Sequence, residues 1–262
     1  MTSPADRLAA AGIDSARLDA RVLREHANGD EALFEQFLTR RIRREPVAYI
    51  TGKKGFWTLD LDVGPGVLVP RPETETLIEE ALREFPDRQA PLRAVDFGVG
   101  SGAILLSFLS EYPGAVGLGI DRSRKALDWA ERNARNLGFC RRWELVDADW
   151  SAAPPGEFDV IFSNPPYVTS TELSAAAPEL GYEPEGALDG GADGLAAYRV
   201  LAPIVASRLN KRGVGFLEIG QGQGEAVRAI LAAAGLETVR IVTDLSGIPR
   251  CVVTRLAKKP WK

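Results

Sequence analysis

The segment "FSNPPYVT" at residues 162–169 places an asparagine before two prolines and a tyrosine, directly after an apolar run. Proline has no backbone N–H and fixes its own φ, and it also keeps the preceding residue out of the helical region. The segment therefore holds the side-chain oxygen of Asn164 and the carbonyl oxygen of Pro165 in a stiff frame. It is either a proline-stiffened turn at a strand end or a rigid site for a planar ligand.

A rigid pair of acceptors suits a reaction at a planar nitrogen. The nitrogen of an amide or an exocyclic amine is a poor nucleophile because its lone pair is delocalised. An enzyme must hold both N–H groups so that the lone pair points at an electrophile. Asn164 and Pro165 can accept these protons, Pro166 stiffens the frame, and the Tyr167 ring can pack on the planar group. These four residues are the candidate catalytic residues.

A glycine-rich turn, "DFGVGSG" at residues 96–102, links a predicted strand to a predicted helix. Its glycines let the backbone approach a ligand closely, and the helix N–H groups point into the gap. The G-x-G-x-G spacing matches neither the dinucleotide fingerprint nor a P-loop, and a simple tight turn is the alternative. The candidate cofactor-binding residues in this turn are Gly98, Val99, Gly100, Ser101 and Gly102.

Two further acids follow predicted strands. Asp121 ends the next strand, 19 residues after Gly102, where a carboxylate can accept both hydroxyl protons of a ribose. The alternative for Asp121 is a cap on the following helix. Asp149 or Trp150, after the third strand, can flank an adenine ring, although a helix cap and a packed aromatic are alternatives. Together with Asn164, these positions predict a nucleoside site.

The elements that position these residues alternate. From about residue 92, apolar runs and helical patterns follow each other, which predicts a mostly parallel sheet with helices on both faces. Ligands of such sheets bind beyond the carboxyl ends of the strands. We therefore expect four side chains along one edge of the sheet: Asp96, Asp121, Asp149 and Asn164.

The chain divides into three predicted regions. Residues 1–46 have apolar side chains at helical spacing and predict a small helical bundle, with Asp14 or Ser15 and Asp30 as caps. Residues 47–71 show strand-type alternation broken by glycine and proline, and they predict a β-hairpin connector. Residues 72–262 form the predicted α/β domain, which opens with a helix begun by Pro72.

The composition is that of a soluble globular protein, with 45% hydrophobic and 26% charged residues. No apolar run is long enough to span a membrane, and the N-terminus lacks a signal-peptide pattern. Cys140 and Cys251 are far apart, so neither a disulfide framework nor a zinc site is expected. The only histidine, His26, falls in a predicted helix, which argues against a histidine base or metal ligand. These features predict a cytoplasmic protein.

The negative net charge of the chain argues against a protein that binds nucleic acid non-specifically. The chain has 32 Lys and Arg against 36 Asp and Glu, a net charge of −4. One segment differs, because "TRRIRREP" at residues 39–46 contains four arginines. This run is either the solvated end of a helix or a docking patch for an acidic partner such as RNA.

These motifs resemble those of class I S-adenosylmethionine-dependent methyltransferases. More narrowly, the chain is similar to the protein-(glutamine-N5) methyltransferases of peptide chain release factors, the PrmC/HemK family. The Asn-Pro-Pro-Tyr motif is shared with adenine-N6 methyltransferases, whereas "REPVAYITG" and "VPRPETE" after a helical N-terminus are more specific. The similar segments are residues 43–57, 68–82, 96–106, 163–168, 183–199 and 222–227.

The resemblance implies a Rossmann-like seven-stranded domain with an N-terminal bundle that recognises the substrate. S-adenosylmethionine would lie over residues 98–102, with Asp121 at its ribose and Trp150 beside its adenine, and S-adenosylhomocysteine would be the product. Residues 164–167 would grip the glutamine of the Gly-Gly-Gln loop of a class I release factor, with no direct nucleic-acid contact. Arg71 and Glu73 would lie near the mouth of the site.

Three alternatives remain open. A related enzyme can methylate a glutamine of a ribosomal protein with similar motifs. A nucleic-acid adenine-N6 methyltransferase shares the Asn-Pro-Pro-Tyr motif, but a basic recognition domain would be expected with it. A binding module without activity would give no reason for combining a cofactor turn with this motif.

Overall fold

The computed structural model describes residues 2–258. The N-terminal bundle contains three helices, α1 (Pro4–Ala10), α2 (Ala16–Ala27) and α3 (Glu31–Ile42). Their apolar stripes meet in a separate small core, because residues spaced three or four apart share one helix face. The largest fully buried side chains of this core are Leu8, Leu23, Phe34 and Leu38.

The two expected helix caps behave differently. Asp30 precedes α3 and accepts the N–H of Leu33 at 2.9 Å, which confirms the predicted cap. Ser15 precedes α2 as expected, but its side chain makes no capping hydrogen bond.

Residues 47–71 contain the predicted hairpin and one helix that was not predicted. Strands β1 (Lys53–Phe56) and β2 (Leu59–Asp62) pair antiparallel. The short helix α4 (Val47–Thr51) precedes them, where alternation predicted a strand. Pro46 stands at its N-terminal cap and Gly52 ends it at φ 72°, so local turn chemistry overrides the alternating pattern. The proposed domain boundaries stay a prediction.

The α/β domain opens with a 3₁₀ turn at Pro72–Thr74, followed by α5 (Glu75–Glu84). Seven strands form its sheet: β3 (Arg93–Phe97), β4 (Val116–Asp121), β5 (Trp143–Asp147), β6 (Phe158–Ser163), β7 (Leu209–Glu218), β8 (Leu236–Thr243) and β9 (Pro249–Leu256). The helices between them are α6 (Ala103–Glu111), α7 (Arg124–Leu137), α8 (Ser170–Ser174), α9 (Ala196–Arg208) and α10 (Gly224–Ala233).

The strand order is β5-β4-β3-β6-β7-β9-β8; β9 pairs antiparallel with both β7 and β8, and the other neighbouring strands pair parallel. Alternate residues of β6 show how both faces are covered. Val160 and Phe162 pack with α5, α6 and α7, and Ile161 packs with α9 and α10. This arrangement confirms the predicted Rossmann-like, mostly parallel sheet with helices on both faces and a helical bundle before it.

The order of the strands also locates the expected ligand crevice. The chain runs from β3 outward to β5 and then returns to β6 on the other side of β3. In open α/β sheets the crevice at such a reversal, beyond the carboxyl ends of the strands, binds ligands. No helix within residues 2–258 has the length and apolarity to cross a membrane.

Candidate active site

A cavity of about 530 Å³ opens beyond the carboxyl ends of β3, β4 and β6. Nine of the candidate catalytic and cofactor-binding residues line it: Gly98, Val99, Gly100, Ser101, Asp121, Asp149, Trp150, Asn164 and Pro166. Three others lie outside its lining: Gly102, Pro165 and Tyr167.

The glycine turn forms the floor next to β4. The N–H groups of Gly98 and Val99 donate to the carbonyl oxygen of Ile120 at 2.8 and 3.0 Å, which ties the turn to the neighbouring strand. Gly100 has φ 55°, a conformation that favours glycine. Gly102 packs inward instead, because a Cβ there would lie 2.9 Å from Leu106. It begins α6 rather than contacting the cavity.

Asp121 connects the turn to the second strand. Its Oδ2 accepts the N–H of Gly100 at 3.0 Å, and its Oδ1 accepts the N–H of Ser123 at 2.9 Å. Burial raises the pKa of this carboxyl above its ordinary value, although the N–H donors partly offset that effect. Each carboxylate oxygen has a second lone pair, so two hydroxyl groups of a ribose can still be accepted from the cavity.

Asp96 differs from the expectation that it would lie at the sheet edge. It is fully buried, and it pairs in register with Gly119, two residues before Asp121 on β4. Neither carboxyl oxygen has a hydrogen-bond partner among the described residues, and burial raises its pKa well above the usual range, with the nearby Asp121 adding to the effect. Asp121, Asp149 and Asn164 line one cavity, as expected for side chains at one edge of the sheet. Asp96 does not line this cavity, because it is buried within the sheet.

Asp149 and Trp150 follow β5. The Asp149 carboxylate accepts the backbone N–H of Ser151 at 3.0 Å, and this bond and the Ser151 hydroxyl lower its pKa. Asp149 therefore caps a short 3₁₀ turn while it lines the cavity. The indole of Trp150 lies against the glycine turn, where a Cβ on Gly98 would be 3.6 Å from the ring. This wall is flat and aromatic, as an adenine ring requires.

These features fit S-adenosylmethionine. The cavity combines a close backbone turn, a carboxylate with free lone pairs and an aromatic wall. Within residues 2–258 no cluster of potential metal ligands accompanies them.

The Asn-Pro-Pro-Tyr turn follows β6 and presents two open acceptors. Asn164 Nδ2 donates to the Thr74 Oγ1 at 3.2 Å. Asn164 Oδ1 accepts no hydrogen bond within the described chain and is not buried. The Pro165 carbonyl oxygen likewise accepts none among the described residues, although the Pro165 ring itself is buried. The pair of acceptors expected for a planar nitrogen is therefore present and unused.

Tyr167 is placed differently from the prediction. Its hydroxyl donates to Glu218 Oε1 at 3.0 Å, across to the end of β7. The ring lies outside the cavity lining, so in this structure it anchors the turn instead of offering a face to a substrate. Burial and the neighbouring Glu218 raise the pKa of Tyr167, so the phenol stays protonated and can donate this bond.

Sequence reasoning missed the residue that fixes the backbone of the turn, Gln223. Its Nε2 donates to the Tyr167 carbonyl at 2.9 Å, and its Oε1 accepts the Gly220 N–H at the same distance. Thr74 and Glu218 were missed for the same reason, since each acts across the fold. The available signal for Thr74 and Gln223 was the similarity of the segments 68–82 and 222–227 to one family, without a chemical role attached to them; Glu218 lies outside these segments.

The segment after the turn bridges the cavity and the bundle. Glu183 accepts the N–H of Val69 at 2.9 Å and forms an ion pair of 2.5 Å with Arg71. Arg71 lines the cavity, as expected for its mouth, whereas Glu73 lies outside the lining. Further back, the Glu179 carboxylate pairs with the arginine run of α3.

The arginine run forms contacts that neither interpretation predicted. Arg41 is buried and pairs with Asp19 at 2.7 Å and with Glu179 at 2.9 Å. Arg44 pairs with Glu179 at 2.8 Å, and Arg40 pairs with Glu45 at 2.6 Å. Three of the four arginines thus hold the protein together instead of forming a solvated end or a free basic patch.

Comparisons with known proteins agree with this geometry. A family model described as Methyltransferase small domain matches residues 74–181. A solved ribosomal protein L11 methylase from Lactobacillus delbrueckii subsp. bulgaricus has a TM-score of 0.54 at 21% identity, over 76% of this chain and 84% of that chain. This likeness supports the class I methyltransferase fold.

Two curated relatives are far more similar in sequence. The release factor glutamine methyltransferase of Caulobacter vibrioides is 44% identical over 271 residues, 96% of this chain and 93% of that protein. That of Rhodospirillum rubrum is 44% identical over 267 residues, 95% of this chain and 82% of that protein. The resemblance seen in the motifs is confirmed, and the protein belongs to the family of release factor glutamine methyltransferases.

Proposed function

We propose that this protein transfers a methyl group from S-adenosylmethionine to the side-chain nitrogen of the glutamine in the Gly-Gly-Gln motif of peptide chain release factors. The observation that carries the proposal is a pair of neighbouring acceptors without partners in the described chain, Asn164 Oδ1 and the Pro165 carbonyl oxygen, in a turn whose Asn164 lines a cavity suited to a nucleoside. Two acceptors match the two N–H groups of one primary amide. The named activity of the close relatives supplies the substrate.

The glycine turn and the side chains beside it would hold the cofactor. Gly98 to Ser101 would lie against it, Asp121 would accept its ribose hydroxyls, and Trp150 would contact its adenine. When bound, S-adenosylmethionine supplies an electrophilic methyl carbon on a positively charged sulfur. The carboxylate of Asp121, which lines this pocket, makes it electrostatically favourable for a cation.

The Asn-Pro-Pro-Tyr turn would orient the substrate. Asn164 and Pro165 would accept one amide proton each, which fixes the plane of the glutamine amide and directs the nitrogen lone pair towards the methyl carbon. The nitrogen becomes acidic only once it is alkylated, and it can then release its proton to solvent. A dedicated base is therefore not needed. Tyr167 does not serve as one, because its raised pKa keeps the hydroxyl protonated and donating a hydrogen bond to Glu218.

We further propose that the protein acts in the cytoplasm, because release factors act on ribosomes there. Arg71 lines the cavity and forms an ion pair with Glu183. This pair would contact the loop that carries the glutamine.

A methyl-transfer assay tests the proposal. The protein is incubated with tritiated S-adenosylmethionine and, separately, with purified release factor, the same factor with Ala in place of the Gly-Gly-Gln glutamine, ribosomal proteins, or RNA. We expect label on the intact release factor and none on its alanine variant. Label on RNA alone or on ribosomal proteins alone would overturn the proposed function and favour one of the rivals.

The variant Asn164→Ala tests the role of the turn. We expect methyl transfer to be lost. The affinity for S-adenosylhomocysteine, measured by calorimetry, should stay within about threefold of the wild-type value, because cofactor binding would depend mainly on the glycine turn and Asp121. An Asn164→Ala protein that unfolds would instead show that the asparagine is a structural part of the turn.

A further inference from the structure

We propose that Thr74 is a positioning residue that fixes the orientation of the Asn164 amide. Its hydroxyl oxygen accepts a hydrogen bond from the Asn164 NH₂ group, and its hydroxyl proton is donated to Glu218. The inference rests on the proposed function, since it concerns the group that would receive the glutamine amide. It assigns a role to the "PRPETE" segment, which contains Thr74.

The orientation of the Asn164 side chain matters because its two ends are nearly equal in size and opposite in chemistry. Oδ1 accepts hydrogen bonds, and Nδ2 only donates them. If Nδ2 faced the cavity, it would confront the N–H groups of the glutamine amide with another donor. Transfer therefore requires the oxygen on the cavity side and the NH₂ group on the protein side.

Thr74 contacts the protein side of this amide. Its Oγ1 lies 3.2 Å from Asn164 Nδ2, and its side chain is almost fully buried. A hydroxyl group alone does not settle the orientation, because it can accept from NH₂ or donate to Oδ1. The proton of the Thr74 hydroxyl must be engaged elsewhere for Thr74 to act only as an acceptor.

Glu218 is the group that can engage this proton. It is buried at the end of β7, where its Oε1 accepts the Tyr167 hydroxyl at 3.0 Å. Its Oε2 accepts no hydrogen bond from any described residue. The Thr74 hydroxyl is nevertheless near enough to the carboxyl to lower its pKa. The Thr74 hydroxyl proton, when donated to Oε2, would satisfy the orphan oxygen and leave only lone pairs for Asn164.

The same carboxyl therefore holds the turn at two points. Through Tyr167 it anchors the last residue of Asn-Pro-Pro-Tyr, and through Thr74 it orients the first. Thr74 and Glu218 act through Asn164 and Tyr167, so neither needs to contact the glutamine. Preorganised hydrogen bonds of this kind reduce the reorientation that is required when the substrate binds.

The decisive experiment compares Thr74→Val, which keeps the shape of the side chain but removes its oxygen, with Thr74→Ser, which keeps the oxygen. We expect Thr74→Val to lower kcat for release factor methylation about 10- to 100-fold, with KM and cofactor affinity changed less than about threefold. Thr74→Ser should restore most of kcat. The control is Thr76→Val on the same segment, because Thr76 is also buried but makes no side-chain hydrogen bond within the described chain.

A second readout does not depend on activity. In ¹H–¹⁵N spectra, the side-chain NH₂ signals of Asn164, assigned by their loss in Asn164→Asp, should shift in Thr74→Val and remain near their wild-type positions in Thr74→Ser and Thr76→Val. If wild-type protein fails to methylate release factor, the proposed function fails, and these signals still test the orientation.

Either an unchanged kcat or unchanged Asn164 signals in a folded Thr74→Val protein would overturn the inference. Should Thr74→Val not fold, Thr74→Ala provides the same comparison, because it also lacks the oxygen and removes volume at a cavity wall.

Discussion

Glu179 forms an ion pair of 2.9 Å with Arg41, although 138 residues separate them in the chain. Arg41 belongs to the N-terminal bundle, and Glu179 lies in the segment that follows the Asn-Pro-Pro-Tyr turn. The bundle is therefore joined to the segment after the Asn-Pro-Pro-Tyr turn by a direct, partly buried ion pair as well as by the connector. A substrate recognised by the bundle would be presented at a fixed position relative to the cavity.

The first prediction concerns the strength of this junction. Arg41→Ala should lower the free energy of unfolding by about 3–5 kcal/mol, because it leaves the buried carboxylate of Asp19 without its ion-pair partner and removes one of the two arginines that pair with Glu179. The side chains of Arg41 and Asp19 are only 7% and 9% exposed, so water cannot replace the lost interaction. Urea denaturation followed by circular dichroism measures the change.

The matched control is Arg21→Ala in the same bundle. Arg21 pairs with Glu25 at 3.9 Å, and both side chains are more than half exposed, so we expect a loss below about 1 kcal/mol. A loss in Arg41→Ala no larger than that in Arg21→Ala would contradict an anchoring role for Arg41.

The second prediction concerns pH. The pKa of Glu218 is raised from 4.5 to about 7, chiefly because burial disfavours the carboxylate, and the nearby Glu73 raises it further. Between pH 4.5 and about 7 the folded state therefore binds a proton at Glu218 that the unfolded state has lost, whereas above about pH 7 Glu218 is the carboxylate that accepts the Tyr167 hydroxyl. The stabilising effect of this proton is present below pH 4.5 and is lost as the pH rises towards 7. The stability of wild-type protein should fall over this range by on the order of 3 kcal/mol relative to Glu218→Gln, which does not titrate.

Several other titratable or charged groups surround Glu218 and bear on the interpretation of this experiment. The hydroxyls of Thr74 and Tyr167 and the charge of Arg250 lower its pKa, and Tyr198 and Cys251 lie beside it. Burial raises the pKa of both Tyr198 and Cys251, so they stay neutral over the range tested. Denaturation of both proteins at several pH values between 4.5 and 8 gives the difference. A difference that is independent of pH would contradict a raised pKa for Glu218.

The third prediction tests the ribose acceptor. Asp121→Asn should weaken binding of S-adenosylmethionine about 10- to 100-fold, because an amide NH₂ would face the Gly100 or the Ser123 N–H and would lose one acceptor for a hydroxyl. Isothermal titration calorimetry with S-adenosylmethionine measures this affinity. Asp147→Asn is the control, since Asp147 pairs with Asp121 in register but is exposed and lies outside the cavity lining. Equal affinities for the two variants would exclude Asp121 as a direct cofactor ligand.

Local patterns were sufficient to predict the fold and the cofactor side of the cavity. The strands of a parallel sheet are buried on both faces and appear as apolar runs, and glycine turns and terminal acids follow them directly in sequence. Gly98, Gly100 and Asp121 could therefore be assigned from a stretch of fewer than thirty residues. The helix α4 was missed because it is one turn long and lies within an alternating pattern.

The substrate side was predicted less completely because its contacts are long-range. The partner of Tyr167 lies 51 residues away on another strand, and the partner of Asn164 lies 90 residues earlier in the chain. The arginine run was misjudged for the same reason, since its partner Glu179 lies in a distant segment. Residue type and spacing do not encode such pairings without the topology that brings them together.

The last prediction concerns the backbone behind the Asn-Pro-Pro-Tyr turn. Gly194 has φ 71°, and a Cβ at this position would overlap the Tyr167 carbonyl oxygen, which also accepts the hydrogen bond from Gln223. Gly194→Ala should therefore displace the turn and lower kcat at least about tenfold, because small misplacements of groups that orient a substrate reduce rates strongly. The affinity for S-adenosylhomocysteine should change little, since Gly194 lies outside the cavity lining.

Gly181→Ala provides the control for this prediction. Gly181 belongs to the same region between β6 and β7, but a Cβ there meets no atom within 4 Å. The activity of the Gly181→Ala protein should therefore remain near that of wild type. Steady-state methylation of release factor measures kcat for both variants, and calorimetry measures cofactor binding. A Gly194→Ala protein with normal kcat would show that the Tyr167 carbonyl can move without disturbing Asn164, and that the turn does not need a fixed backbone to orient the amide.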